Sequence, residues 1–253
     1  MIVILRILPA VAALVVAVSF SVQLRTPLQY PWLATIGVCA FLVATLAISW
    51  GRVRFVDMLE KMTPTSILIL ALGFAMLLAE GSGSKIAIVV LAGFTAFVSL
   101  ELLFLLAFNP TRYPVHGLSR VNIAYVPIAI WYVACTSAGM LIFLHMDRLW
   151  HILIMVLLGT ILFRTTGHPQ ASWKENATWS AVGALVGGHV GLLGIMLPVS
   201  MPVQGFVAAF LLSAALRVRR YRYDPKPSVR QGWIEAVAGA VALVAVLTTG
   251  KWL

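Results

Sequence analysis

Long apolar blocks, each bounded by a short polar or basic segment, recur along the whole chain and limit what it can fold into. Their length of about 15 to 25 residues suits helices that cross a hydrocarbon core ~30 Å thick. Charged residues make up only 10% of the chain, whereas a soluble domain carries roughly 25%. The pattern therefore predicts an all-α, polytopic transmembrane helical bundle, with residues 1–253 forming a single integral membrane domain.

The apolar blocks predict nine spans, with the first retained rather than removed as a signal peptide, because no clear cleavage site follows it. The spans lie at about 2–24, 30–50, 64–79, 86–108, 121–145, 149–163, 177–197, 202–217 and 232–250. The third, sixth and eighth are short, so a re-entrant segment is an alternative for the sixth and eighth. Between the second and third spans, residues 52–62 have helical apolar spacing, which fits either a short surface helix or a structured polar loop.

The basic residues test this number of spans, because Lys and Arg accumulate on the cytoplasmic side of a membrane. With nine spans, fourteen of the eighteen basic residues fall on one side. If the third, sixth or eighth span is left out, the basic residues are divided more evenly between the two sides, or their excess moves to the other side. Six of the fourteen lie in the basic segment Arg217–Arg230, between the last two spans. The charges therefore predict a cytoplasmic N-terminus, a C-terminus outside, and a multi-pass protein of the plasma (inner) membrane.

A net charge of +10 would suggest nucleic-acid binding in a soluble protein. Here nearly all of the basic residues lie at span ends, where they face anionic lipid headgroups. The predicted partners are the lipid bilayer, including its anionic headgroups, and membrane protein partners or a second copy of the chain. Nucleic acid is not among them.

Two ionisable residues, Glu101 and Arg6, fall inside predicted spans, where an uncompensated charge is costly. Glu101 lies ~10 Å from the cytoplasmic end of its span at 1.5 Å per residue, and Arg6 enters from the same side. The favoured interpretation is a structural ion pair between them. A proton- or cation-coupled site and a protonated, singly hydrogen-bonded Glu101 are the alternatives.

The seventh span carries His189 near its middle and glycines at 183, 187 and 191. Small residues four apart let a neighbouring helix approach closely, so we expect a packing helix with His189 hydrogen-bonded across to its neighbour. A ligand, metal or catalytic role for His189 is the alternative. Glu235, at the start of the ninth span, suits a helix N-terminus that follows the basic segment.

Other groups are weaker candidates for chemistry. His145, Asp147 and His151 could ligate a transition metal, although interfacial polar residues are the default interpretation. Cys135, Arg164 and His189 occur in an order that resembles the Cys, Arg, His set of exosortase-type membrane cysteine transpeptidases, and the resemblance implies catalytic roles for them. The charges, however, place Arg164 at the cytoplasmic side and Cys135 in mid-membrane.

Several motifs of soluble and membrane enzymes are missing from the sequence. It has no phosphate-binding Gly-Lys-Ser/Thr loop, no HExxH, no Gly-x-Ser-x-Gly and no paired aspartates for Mg²⁺. No cofactor is predicted. The leading hypothesis is a small permease-like unit or a membrane-complex subunit. The alternative is a membrane-embedded enzyme for a lipid or lipid-linked substrate that uses Cys135 and His189 with the predicted cytoplasmic His116 and His168.

Overall fold

Eight helices occupy most of the part of the chain that the computed structural model describes, namely residues 2–25, 32–79, 81–166, 172–223 and positions 233, 237, 239–241, 244–246 and 248. No strand occurs within these residues. The helices are α1 (Ile2–Arg25), α2 (Leu33–Ser49), α3 (Phe55–Leu78), α4 (Ser82–Phe108), α5 (Gly117–Phe143), α6 (Arg148–Thr165), α7 (Trp173–Met196) and α8 (Met201–Tyr223). The all-α prediction is confirmed.

Seven of these helices are long and apolar enough to cross a membrane, and only α2, with 17 residues, is shorter. The first eight predicted spans each correspond to one helix. The short sixth and eighth spans correspond to α6, of 18 residues, and α8, of 23 residues. The ninth predicted span lies mostly outside the described residues, although its described positions are helical. The number of spans and the orientation of the termini stay predictions.

The third span differs from its prediction at its start. Helix α3 begins at Phe55 rather than at residue 64, so residues 55–62 form neither a separate surface helix nor a polar loop. The reason is that Met58 and Met62, two of the four apolar residues with helical spacing in this segment, are buried together with Leu68 and Leu72 further along α3. One apolar face thus continues through Pro64 into the span.

The chain divides into two compact units, Met1–Ala129 and Ile130–Leu253, and the division falls inside α5. In the first unit α1 packs on α2 and α4, and α3 packs on α4 and α2. Polar side chains link these helices. Gln23 Oε1 accepts a 2.6 Å hydrogen bond from the Ala34 backbone N–H, and the Thr65 and Ser99 hydroxyls lie 3.1 Å apart.

The second unit contains the close pair α6 and α7, with α8 packed on α7. Two α5 side chains reach the start of α8. Trp131 Nε1 donates to the Pro202 carbonyl at 3.1 Å, and the Cys135 thiol donates to the Met201 carbonyl at 3.3 Å. The single membrane domain predicted for residues 1–253 stays a prediction.

Candidate functional site

Two arginines and two phenylalanines form a stack in the first unit. Arg6 makes an ion pair with Glu101 and lies over the Phe104 ring, 5.1 Å from its centroid. Phe104 stacks on Phe108 with centroids 5.0 Å apart, and Arg52 lies 5.2 Å from the Phe108 centroid. We call these five residues the Arg–Phe cluster. The ion pair favoured from the sequence is present, and it is part of a larger group.

The sequence places these side chains together through helical spacing. Residues 101, 104 and 108 are three, four and seven positions apart, so they share one face of α4. Helix α1 packs on α4 and brings Arg6 to this face, and Arg52 follows the end of α2. A guanidinium over an aromatic ring is worth about 0.5–2 kcal/mol, depending on its desolvation. The cluster therefore contains one carboxylate and two guanidinium groups.

Gly183, Gly187 and Gly191 of α7 all lie against α6. A Cβ atom at Gly191 would lie 3.0 Å from Ile152 Cα, and one at Gly187 would lie 2.9 Å from the Met155 carbonyl carbon. Gly159 of α6 faces Gly183 in the same way. The predicted close approach of a neighbouring helix is confirmed. The sequence did not identify that neighbour, because Gly159 stands alone in α6 and has no spacing pattern of its own.

His189 lies on another face of α7. It is two residues from Gly187, or about 200° around the helix, so it is exposed. Its Nδ1 lies 2.7 Å from the carbonyl oxygen of Leu185 in the same helix. The predicted hydrogen bond across to a neighbouring helix is therefore wrong for the described residues. The physical reason is that the glycine face of α7 packs on α6. His189 is on the opposite side of α7, so its imidazole points away from α6.

The metal-ligand candidates do not come together. Asp147 caps α6, its carboxylate accepting a 3.0 Å hydrogen bond from the Leu149 N–H, and His145 has a left-handed backbone with φ of 50°. His151 is only 3% exposed and lies against Gly194, where a Cβ would be 2.9 Å from its Nε2. No group of three or more His, Cys, Asp or Glu side chains that could hold a metal ion occurs in the described part of the chain.

Cys135, Arg164 and His189, the residues of the exosortase-like order, have separate surroundings. Cys135 donates to the Met201 carbonyl next to Gly205, His189 bonds within α7, and Arg164 is exposed in the last turn of α6. No hydrogen bond joins two of these three residues. His116 is exposed with φ of 56°, whereas His168 and Glu235 lie outside the described residues.

One arginine of the basic segment, Arg219, is buried, whereas the sequence predicts that these residues face lipid headgroups. Arg219 is 2% exposed, and its Nη2 donates to Asn176 Oδ1 at 2.7 Å. The guanidinium also lies 5.7 Å from the centroid of the Trp179 ring. Asn176 and Trp179 are both on α7, so this arginine ties the end of α8 to α7. Residues 224–230 of the segment lie outside the described residues.

An all-helical chain with seven helices able to span a membrane has the architecture of a multi-pass integral membrane protein. Which membrane it occupies stays a prediction. No family model, no curated protein and no solved structure matches the chain. No family match therefore supports the resemblance of Cys135, Arg164 and His189 to the exosortase-type set.

Proposed function

We propose that the protein is a non-enzymatic subunit of a membrane complex, which packs laterally against another membrane protein through the exposed face of α7. The observation that carries the proposal is the exposure of His189 in the middle of a membrane-spanning helix. Ionisable side chains at membrane depth almost always face the interior of a bundle or a cavity. An imidazole on the surface of the second unit is therefore best explained by a second protein that covers it.

The surroundings of His189 support this interpretation. Leu185 and Met196 of α7 are 66% and 76% exposed. In the most apolar stretch of α7 only 22% of the residues are buried, whereas 56% are buried in the corresponding stretch of α3. Within the described residues α6 occupies the glycine face of α7, and the exposed face can accept a further helix. A hydrogen bond from the imidazole to such a helix is worth about 0.6 to 2 kcal/mol.

The other hypotheses have less support. A permease that uses Glu101 needs this carboxylate to be available to a transported proton or cation, but Arg6 neutralises it. An enzyme that uses Cys135 needs a base close to the thiol. The hydrogen-bond partner of this thiol is instead a backbone carbonyl, which cannot act as that base. A subunit role needs neither group to react.

The test is isolation of the full chain from its native membrane in lipid nanodiscs, followed by mass measurement. We expect a complex larger than the 27.4 kDa chain. Leu185→Trp adds bulk at the proposed contact and His189→Leu removes its polar group. Each should weaken retention of the partner about tenfold, or ~1.4 kcal/mol.

Val90→Trp on α4 is the matched control, since Val90 is 62% exposed and Leu185 is 66% exposed. Both positions accommodate a tryptophan without a change inside the chain. A chain that is always isolated alone, with a protein mass of 27.4 kDa, would exclude the proposal. Equal effects of Leu185→Trp and Val90→Trp would also contradict it.

A further inference from the structure

A large apolar groove lies at the end of the first unit where α2 and α4 end. It has a volume of about 570 Å³ and is lined by Leu5, Val43, Leu46, Ala47, Trp50, Arg52 and Phe108. Ligand sites commonly have ~300–1,000 Å³. Val43 and Trp50 are 64% and 83% exposed, so the groove opens onto the surface of the unit, where a lipid chain has access to it.

The groove has one cationic wall, formed by Arg52. This guanidinium rests on the Phe108 ring, and among the described residues no carboxylate pairs with it. The only carboxylate of the Arg–Phe cluster, Glu101, is taken by Arg6. The cluster therefore has an excess of one positive charge beside an apolar groove, and this charge favours an anionic ligand.

We infer that this groove binds one acyl chain of an anionic glycerophospholipid, with the lipid phosphate against Arg52. The groove accommodates the apolar chain along Val43, Leu46 and Ala47. The guanidinium supplies hydrogen-bond donors and charge for the phosphate, and Trp50 follows the end of α2, where an indole ring suits the level of the headgroups. A free phosphate would leave the apolar wall unused, and a zwitterionic lipid would bring a cationic group that offsets the charge of its phosphate. The inference is independent of the contact proposed for α7.

The test is native mass spectrometry of the full chain released from vesicles of equal parts phosphatidylglycerol and phosphatidylcholine. We expect one phosphatidylglycerol molecule to be retained preferentially. Arg52→Gln should lower its retention about fivefold, the effect of one basic residue near a lipid surface. The control Arg112→Gln removes an exposed arginine that does not line the groove, and it should leave retention unchanged.

A second pair of variants separates the groove from the charge. Ala47→Trp fills the groove at an exposed position, so the fold tolerates it, and it should abolish lipid retention while Arg52 is intact. Leu42→Trp changes an exposed residue of the same helix outside the groove and should have no effect. Equal retention of the two lipids, or equal effects of the two arginine variants, would overturn the inference. Displacement of the lipid by inorganic phosphate alone would overturn it as well, because it would indicate a plain anion site.

Discussion

The contact between α6 and α7 gives the sharpest prediction, because two adjacent glycines of α7 differ in what surrounds them. A Cβ at Gly187 would meet the Met155 carbonyl group and lie 3.2 Å from Val156 Cα, all of which are backbone atoms. A Cβ at Gly188 would meet only the end of the Val156 side chain, at 3.4 Å. We therefore expect Gly187→Ala to destabilise the protein and Gly188→Ala not to.

The magnitude follows from two opposing effects. Both substitutions should stabilise the helix by about 1 kcal/mol, because alanine is a better helix former than glycine. Gly187→Ala also forces two helix backbones apart, and overpacking of this kind costs about 1–3 kcal/mol. Since the helix term is common to both variants, their stabilities should differ by about 1–3 kcal/mol, with Gly188→Ala equal to or above the wild type.

The assay is reversible unfolding of the purified chain in mixed micelles with increasing denaturing detergent, followed by circular dichroism. The two variants are compared with the wild type under identical lipid and detergent ratios. If both variants have the same free energy of unfolding to within about 0.5 kcal/mol, the stated closeness of the two helices is refuted. A stabilised Gly187→Ala would refute it more strongly.

Three further predictions concern the ion pair, a helix cap and the topology. A double-mutant cycle of Arg6→Gln and Glu101→Gln should give a coupling of about 1 kcal/mol in the same unfolding assay, whereas additive effects would mean that the pair contributes nothing. Asp147→Ala should lower the free energy of unfolding by ~1 kcal/mol through loss of the α6 cap, while Asp147→Asn keeps the acceptor and should cost less; equal losses would contradict a capping role. Reporter fusions at Lys251 should be active outside the cytoplasm and fusions within Arg217–Arg230 should be active inside it, and the opposite result would reverse the predicted orientation.

Much of the fold could be predicted from the sequence, since apolar block length alone determines which segments can cross a bilayer. The start of α3 could not, because a hydropathy pattern ends a span at the first charged residues. Asp57, Glu60 and Lys61 interrupt the apolar run, yet Met58 and Met62 of the same turns are buried. A helix needs only one apolar face to pack on its neighbours, so it continues where the hydropathy average has already fallen.

The polar groups were harder to predict, because their partners depend on which helices are neighbours. Glu101 and Arg6 could be paired from the sequence, since both are costly alone and reach similar depths. The stacking of Arg52 on Phe108 and the burial of Arg219 could not be predicted. A basic residue at a span end is equally compatible with lipid headgroups and with a protein partner, and only the packed helices distinguish the two.

The glycines and the histidine of α7 are best understood together. Since Gly183, Gly187 and Gly191 allow α6 to approach on one face, the helix cannot rotate to bury His189 against α6 without separating the two backbones. Among the described residues, the Leu185 carbonyl is the hydrogen-bond partner of the imidazole, through Nδ1, so the second ring nitrogen can bond to another helix. The same close packing that stabilises the second unit thus holds His189 outward, and this is why we look for the partner of the protein on the exposed face of α7 rather than inside the helical bundle.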